Sequence, residues 1–530
     1  MTRPVAILDS TLRDGAQGEG ISFSVGDKLR IVEILDDLGV RYIEAGNPGS
    51  NPKDLEFFGR ASGLKLKGAV LAAFGSTRRR SKEAGDDENV RSLLRAETPV
   101  VVLFGKSWDF HVTRVLKATL EENLDMIRDT VAFFKQEGRE VVFDAEHFFD
   151  GAKANEAYAF RALQSAAEGG ADCLVLCDTN GGSFPSEVGE LTAKAVRAFA
   201  LPIGIHCHND DGMAVANSVM AVEAGASHVQ GTLTGIGERC GNASLSAVIP
   251  TLQLKRPYAC LPDGRLKGLA PACRLVAELS NMPLFPFLPY VGKSAFAHKG
   301  GMHIDAVLKD VHTFEHVDPG EVGNERRLLT SEVSGRSTIL TKVRGICPEI
   351  DKASPEAGAI IDLLKDMEHK GYQYEGAEAS FELLVRRHLG KYKPFFELER
   401  STIIENQAAG NGSRNSSAML VVNVDGERRI SAAEGDGPVN ALDRALRGAL
   451  EAFYPELARV RLTDYKVRVL DPEEATEARV RVWIESTDGA ESWTTVGVST
   501  DILEASARAL TDAIEHKLLK TIQKKFKPFM

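Results

Sequence analysis

The sequence predicts a (β/α)8 barrel, followed by a mainly helical linker region and a C-terminal α/β domain. Three observations lead there. About eight apolar runs of strand length recur through the first 265 residues, most of them followed by a segment of helical period. Such alternation builds a parallel sheet covered by helices, and eight units are what a closed barrel needs. Polar and charged residues gather just after the runs, at the end where a barrel of this kind carries its chemistry. A doubly wound open sheet is the alternative, because periodicity alone does not tell a closed sheet from an open one.

The first run, Val5–Asp9, leads into Ser10-Thr11-Leu12-Arg13-Asp14-Gly15. A helix follows, with Ser24 as N-cap, Leu29, Ile31, Ile34, Leu35 and Leu38 as its apolar stripe, and Gly39 as its end. Further strands are expected at Val40–Ala45, Gly68–Phe74, Pro99–Phe104, Glu140–Ala145, Ala171–Cys177, Pro202–Cys207 and Ala226–Gly231. Helices are expected at Leu120–Gln136, Asn155–Glu168, Ser186–Ala200 and Met213–Ala224, and the helical period is weaker after the second and third strands.

Reading the strand ends gives Arg13 and Asp14, then Glu44, then Phe74, Ser76 and Thr77. Asp144, Glu146 and His147 follow, then Asp178, Thr179 and Asn180, then His206 and His208. His206-Cys207-His208 is the most informative of these. Two histidines one residue apart share a face only on a strand, where side chains alternate with period two. Placed at a strand end, they present two neutral nitrogens to a divalent cation. A pair of structural histidines bonded to loop carbonyls is the other reading. Asp14, ahead of a glycine that allows a tight turn, and the amide oxygen of Asn242 are the candidate oxygen ligands. Such a set suits Mg²⁺ or Mn²⁺, or Zn²⁺ in a mixed site. Helix or loop capping is the alternative for both residues. Arg13 offers a fork of donors for a substrate oxygen, Thr179 a hydroxyl for a carboxylate, and Glu146 either a base or a helix-start acid. Arg13 and Asp14 are neighbours, so the loop must turn for both to serve one site. Gly235-Ile236-Gly237 suggests a phosphate cradle, and Arg78-Arg79-Arg80-Ser81-Lys82 is either a solvated loop or an attractor of coenzyme phosphates.

Composition excludes several classes. Hydrophobic residues make up 43% and charged residues 26% of the 530, as in ordinary globular chains. A formal net charge of -11 argues against general nucleic-acid binding. No run of apolar residues is long enough for a membrane span, and no secretory leader is expected. The seven cysteines form no C-x-x-C pair, which fits a reducing cytoplasm.

Three segments carry a family resemblance: Leu12-Arg13-Asp14-Gly15-Ala16-Gln17, His206-Cys207-His208-Asn209-Asp210 and Gly235-Ile236-Gly237-Glu238-Arg239-Cys240-Gly241-Asn242. They resemble the isopropylmalate, homocitrate and citramalate synthases, metal-dependent acyltransferases on a TIM barrel. Gln17–Ser24 and Pro48–Asp54 look most like the citramalate branch. The resemblance implies a Claisen-type condensation of acetyl-CoA with a 2-oxo acid, pyruvate in that branch, in branched-chain amino acid (isoleucine) biosynthesis. It implies a divalent metal on Asp14, His206 and His208, with Asn242 at or near it. Arg13, Glu146 and Thr179 match substrate or catalytic positions. Glu44, Phe74 and Thr179 are the residues expected to select the 2-oxo acid. A sister synthase using 2-oxoisovalerate, a lyase and a non-catalytic amino-acid sensor are the rivals.

Beyond the barrel, Phe285–Gly292 reads as an extended connector and Ala297–Asp310 as a glycine-flanked helix start around His303. The resemblance gives His303 a part in the acid–base chemistry. The family often carries a tyrosine slightly downstream, where this chain has Phe314. Ser334-Gly335-Arg336-Ser337 opens another piece, and a helix is expected at Pro355–Lys370 behind an N-cap at Ser354. Ala408-Ala409-Gly410-Asn411-Gly412-Ser413 marks a boundary. After it come strands at Ala418–Val424, Asp464–Leu470, Arg479–Glu485 and Trp493–Val498, and helices at Val439–Phe453 and Ile502–Lys520. These two sheet-and-helix halves resemble the synthases' regulatory domain, implying a homodimer and an amino-acid effector such as isoleucine or leucine. The expected division is 1–265 for the catalytic barrel, 266–405 for linker subdomains covering the site, and 406–530 for regulation and dimerisation.

Overall fold

The computed structural model describes residues 2–329, 336–350, 354–406, 415–470, 473, 477–489 and 491–525. Two compact units emerge: Met1–Ala297 with Glu315–Arg327, and His298–Phe314 with Leu328–Met530.

The first unit is a closed barrel. Its strands are β1 (Ala6–Asp9), β2 (Tyr42–Glu44), β3 (Val70–Ser76), β4 (Val100–Lys106), β5 (Glu140–Glu146), β6 (Cys173–Asp178), β7 (Ile203–Cys207) and β8 (His228–Gly231). All neighbours run parallel. Leu8 pairs with Tyr42 on one side, and Ala6 pairs with His228 on the other, so the sheet closes and the open alternative falls. Eight helices follow the strands in turn: α1 (Val25–Leu38), α2 (Pro52–Ala61), α3 (Glu88–Arg95), α4 (Leu120–Gln136), α5 (Phe148–Gly169), α6 (Pro185–Ala198), α7 (Ala214–Glu223) and α8 (Leu245–Lys255). Helices α2 and α3 are the two whose period was weak in the sequence; each is short and starts on an Asx cap, Asn51 and Asp87. At α1 the expected cap is a full capping box: the Ser24 hydroxyl accepts from the Asp27 amide, and the Asp27 carboxylate accepts from the Ser24 amide. Helix α5 breaks at Asn155, whose side chain accepts from the Tyr158 amide and restarts the helix where the sequence placed it.

Side-chain alternation sorts the barrel into two cores. Val101, Leu103, Val141, Phe143, Leu174, Leu176, Ile205 and Val229 join the helices in the outer core. Leu8, Ala72, Val100, Val102, Val142, Cys173, Val175 and Cys177 fill the interior. Continuing the inward series toward the strand ends with period two reaches Ser10, Glu44, Phe74, Asp144, Glu146, Thr179, His206, His208 and Gln230. The apolar plug therefore ends in a polar layer at the carboxyl face. Helix α9 (Leu269–Leu279) packs on the outside of the same unit. Phe285–Gly292 is not extended: amide-to-carbonyl bonds from Leu288 to Phe285 and from Gly292 to Leu288 wind it into successive turns.

The second unit begins with α10 (Gly301–Lys309), α11 (Arg336–Ile346), α12 (Pro355–His369) and α13 (Glu378–His388). Ser354 and Pro355 occupy the N-cap and first position of α12 as expected. Two antiparallel sheets follow, β9 (Glu397–Asn406), β10 (Asn415–Val424) and β11 (Glu427–Gly435), then β12 (Arg461–Val469), β13 (Val480–Thr487) and β14 (Ser492–Ser499). Helix α14 (Pro438–Leu450) follows the first sheet and α15 (Ile502–Lys525) the second. Leu420, Val422, Leu442, Leu446, Ile484, Ala509 and Leu510 share one core. Strands β9 and β11 escaped the sequence reading. Most of their described residues are exposed, so neither shows an apolar run. The boundary segment at 408–413 lies outside the described residues, as do Ser334 and Gly335.

Glu515 on α15 is buried, and its carboxyl accepts from the amides of Phe395 and Phe396. Burial nonetheless pushes it up from 4.5 to about 7. A raised carboxyl contributes stability fully at acid pH and loses it as pH climbs through the folded value. The urea midpoint of the native chain is therefore expected to fall relative to Glu515→Gln between pH 4.5 and about 7. The divergence should reach about 3 kcal/mol. Parallel pH profiles would show that this carboxyl titrates alike in the folded and unfolded chain.

Candidate active site

The site is built where β1 and β7 end. His206 is the inward residue of β7 and His208 the next one inward, with ring centroids 5.2 Å apart. After β1 the chain turns sharply: the amides of Arg13 and Gly15 both donate to the Ser10 carbonyl, at 3.1 and 3.0 Å. That turn lets two consecutive side chains face the same point. Asp14 Oδ2 lies 3.6 Å from His206 Nε2, 3.8 Å from His208 Nε2 and 2.9 Å from Arg13 Nη1. One ligand atom from each of Asp14, His206 and His208 lies within 4.8 Å of the others, and all three residues are buried.

The electrostatics suit a cation. Burial, then His208, pushes His206 down to about 3, and burial lowers His208 as well. Both imidazoles are therefore neutral, with lone pairs to offer. Burial opposes ionisation of Asp14, but the charge on the adjacent Arg13 guanidinium leads the interactions that outweigh it and hold the carboxyl well below its usual range. Asn242 Oδ1 and His208 Nδ1 are buried without a hydrogen-bond partner among the described residues. Asn242 Nδ2 donates to Asp14 Oδ1 at 3.1 Å and to the Ile236 carbonyl at 3.3 Å. Asn242 thus stands beside the three, but with its nitrogen rather than its oxygen toward Asp14. Two neutral nitrogens, one carboxylate and an orphaned amide oxygen form a donor set that fits a divalent ion.

Arg13 joins this corner to the rest of the mouth. Its Nε donates to Glu44 Oε2 at 2.6 Å, and its guanidinium lies 3.8 Å from the centroid of the Phe74 ring. Glu44 also accepts from the Ser10 hydroxyl and is fully buried. Glu44 and Phe74, expected to line the pocket, thus clamp Arg13 from below and from one face.

Glu146 ends β5 and pairs with Lys106 at the end of β4. Thr179 accepts from the His147 amide at 2.9 Å, which leaves its hydroxyl hydrogen free to donate. The His147 ring stands 4.2 Å from that of His111. In the loop Gly235–Gly241, Gly237 lies against Asn242 and Asp14. A Cβ at Gly237 would run into the Asn242 amide nitrogen and come within 3.4 Å of Asp14 Oδ1. Of the basic run, Arg78 pairs with Asp129 at 2.7 Å and Arg80 bonds the Lys117 carbonyl, so both are tied into the scaffold. His303 lies in the second unit, exposed on α10, with the Phe314 ring stacked on it at 4.1 Å.

Residues 4–269 match the HMGL-like family, residues 290–371 the homocitrate synthase post-HMGL domain-like family, and residues 375–518 the LeuA allosteric (dimerisation) domain. The (R)-citramalate synthase of Aquifex aeolicus is 52% identical over 521 residues, covering 98% of this chain and 99% of that one. Its counterpart in Geobacter sulfurreducens is 49% identical over 517 residues, 98% of each. A probable 2-isopropylmalate synthase of Methanopyrus kandleri is 33% identical over 511 residues, 96% of this chain and 97% of that one. The chain belongs to the citramalate synthase family.

Sequence reading of this family member missed Lys106, His111 and Gln230. Lys106 and Gln230 were detectable in principle, since each lies two residues beyond an inward side chain on its strand, Phe104 and His228. His111 follows β4 in a short helical segment, Asp109–His111, whose course no periodicity reveals. Gly237→Ala should displace the Asn242 amide and lower divalent-cation affinity at least about tenfold. Calorimetric titration with Mn²⁺ on protein of unchanged circular dichroism measures this, and native affinity would show that the loop yields freely.

Proposed function

We propose that this chain condenses acetyl-CoA with pyruvate and hydrolyses the resulting thioester, releasing (R)-citramalate and CoA for isoleucine biosynthesis. The observation that carries the reading is the convergence of Asp14, His206 and His208 beside Arg13, in a chain about half identical to (R)-citramalate synthases throughout. Asp14, His206 and His208 would hold a divalent cation (Mg²⁺, Mn²⁺ or Zn²⁺), with Asn242 next to it; when bound, it supplies a Lewis acid for the 2-oxo group.

The chain's own residues do the rest. Arg13, clamped by Glu44 and Phe74, holds a 2-oxo acid oxygen and the negative charge that grows on it. The Thr179 hydroxyl donates to the substrate carboxylate. A proton leaves the methyl group of acetyl-CoA, and the carbanion forms a bond to C2 of pyruvate. The new alkoxide takes up a proton, and water then cleaves the C–S bond, leaving a carboxylate and a thiol. Glu146, with Lys106 as its partner, and His303 are the groups assigned to these proton movements. Phe314 supplies no hydroxyl to assist His303.

We further propose residues 1–265 as the catalytic part, 266–405 as linker and 406–530 as the regulatory and dimerisation part. On this reading the protein is a cytoplasmic homodimer that answers to isoleucine or leucine. Among the described residues no helix is long and apolar enough to cross a membrane.

Thiol release from acetyl-CoA, measured across a series of 2-oxo acids, should be fastest with pyruvate; a clear preference for 2-oxoisovalerate would refute the assignment. Adding isoleucine or leucine to the same assay should slow it. His206→Ala and Asp14→Ala should lose metal and activity together, whereas full activity after chelation would remove the cation from the reaction. Arg13→Ala should retain the metal and lower kcat by about 10²–10³-fold. A change confined to KM would make Arg13 a binding group only.

A further inference from the structure

Behind His206 runs a buried hydrogen-bond chain that crosses the barrel interior. His206 on β7 and Gln230 on β8 are register partners in the parallel ladder, so their inward side chains stand side by side. His206 Nδ1 lies 3.0 Å from Gln230 Oε1. Gln230 Nε2 donates to Asp144 Oδ1, on β5, at 2.8 Å. All three residues are buried: Gln230 completely, and Asp144 and His206 at 4% exposure each. Little water reaches the chain to substitute for a missing partner.

The direction of this chain has a chemical consequence. An amide has one donor end and one acceptor end. With its nitrogen committed to the Asp144 oxygen, Gln230 turns only its oxygen to His206. A carbonyl oxygen accepts, so His206 must carry its proton on Nδ1. Its lone pair is then on Nε2, the nitrogen 3.6 Å from Asp14. Were the amide reversed, its oxygen would face the Asp144 oxygen, and its nitrogen would donate to Nδ1 and drive the proton to Nε2. That tautomer cannot serve as a ligand through Nε2. The orientation of the amide is fixed by the observed bond itself, in which Asp144 Oδ1 accepts from Gln230 Nε2 at 2.8 Å.

We propose that Asp144 is a positioning residue for the cation site: it orients the Gln230 amide, which in turn holds His206 in the tautomer that binds metal. The inference rests on the reading of His206 as a ligand, and the test separates the two. Mn²⁺ affinity is measured by calorimetry on the metal-stripped full chain for the native protein, His206→Ala, Gln230→Met, Asp144→Leu, and the double variant Gln230→Glu with Asp144→Asn. Gln230→Met and Asp144→Leu should each weaken binding by about 10–100-fold. In the double variant the donor and acceptor exchange places. The introduced carboxylate can only accept from Nδ1, and the introduced amide donates to it, so affinity should return to within a few-fold of native.

Ring ¹⁵N shifts of His206 in metal-free protein, assigned through His206→Ala, should show Nε2 unprotonated in the native and double variants. In Asp144→Leu the proton should move to Nε2. Native affinity in Gln230→Met, or failure of the exchange to restore binding, overturns the relay and leaves these residues as packing. Native affinity in His206→Ala overturns the ligand assignment itself. Should Asp144→Leu fail to fold, Gln230→Met and the exchange decide the matter alone.

Discussion

Inside the barrel mouth, Asp14, Glu44 and Asp144 are shut away from water with the guanidinium of Arg13 among them. Burial opposes the charge on Arg13, yet Glu44 and Asp14 raise its proton affinity further, so it remains a cation. Asp14 keeps its ionised form chiefly because the Arg13 guanidinium offsets its burial. Asp144 receives less relief: burial, then Glu44, carries it well above the ordinary carboxyl range. One buried positive charge thus treats its neighbouring carboxylates unequally: ionisation is favoured at Asp14, beside it, and disfavoured at Asp144, further behind. Removing one member of such a set leaves the others uncompensated, which makes the whole layer interdependent.

Barrel closure supplies the frame for that layer. Only one strand, β8, separates the ends of β1 and β7 around the ring. That strand is not a spacer. Its Gln230 stands behind His206, and the loop after it brings Gly237 and Asn242 against Asp14. Glycine at 237 matters because a side chain there would occupy the place of the Asn242 amide. The functional corner is therefore three consecutive strand ends, each with inward alternation and each followed by a turn tight enough to keep its polar groups pointing in.

Much of this was legible before any coordinates. Barrel strands and helices show clear periodicity because one face of each packs on a large apolar core. The period-two spacing of His206 and His208 and the glycine after Asp14 announced two imidazoles on one inward face and a turn. Other features were not legible, for physical reasons. Strands β9 and β11 are mostly exposed and carry no apolar run. The segment Phe285–Gly292, rich in proline and aromatics, reads as extended, but local amide-to-carbonyl bonds wind it into turns. Glu44 and Phe74 looked like pocket residues by position. Their contacts with Arg13 exist only once β1, β2 and β3 lie side by side.

The sequence by itself determined the fold class, the face that carries chemistry and the residue types available for it, since burial periodicity and turn chemistry are local properties of the chain. Tertiary structure alone decided which of those residues meet. Asp144, Gln230 and His206 come from three strands far apart in the sequence, and only ring closure sets them in line. Hydrogen-bond direction, tautomer and charge state follow from that alignment, because each depends on a partner that no local pattern names.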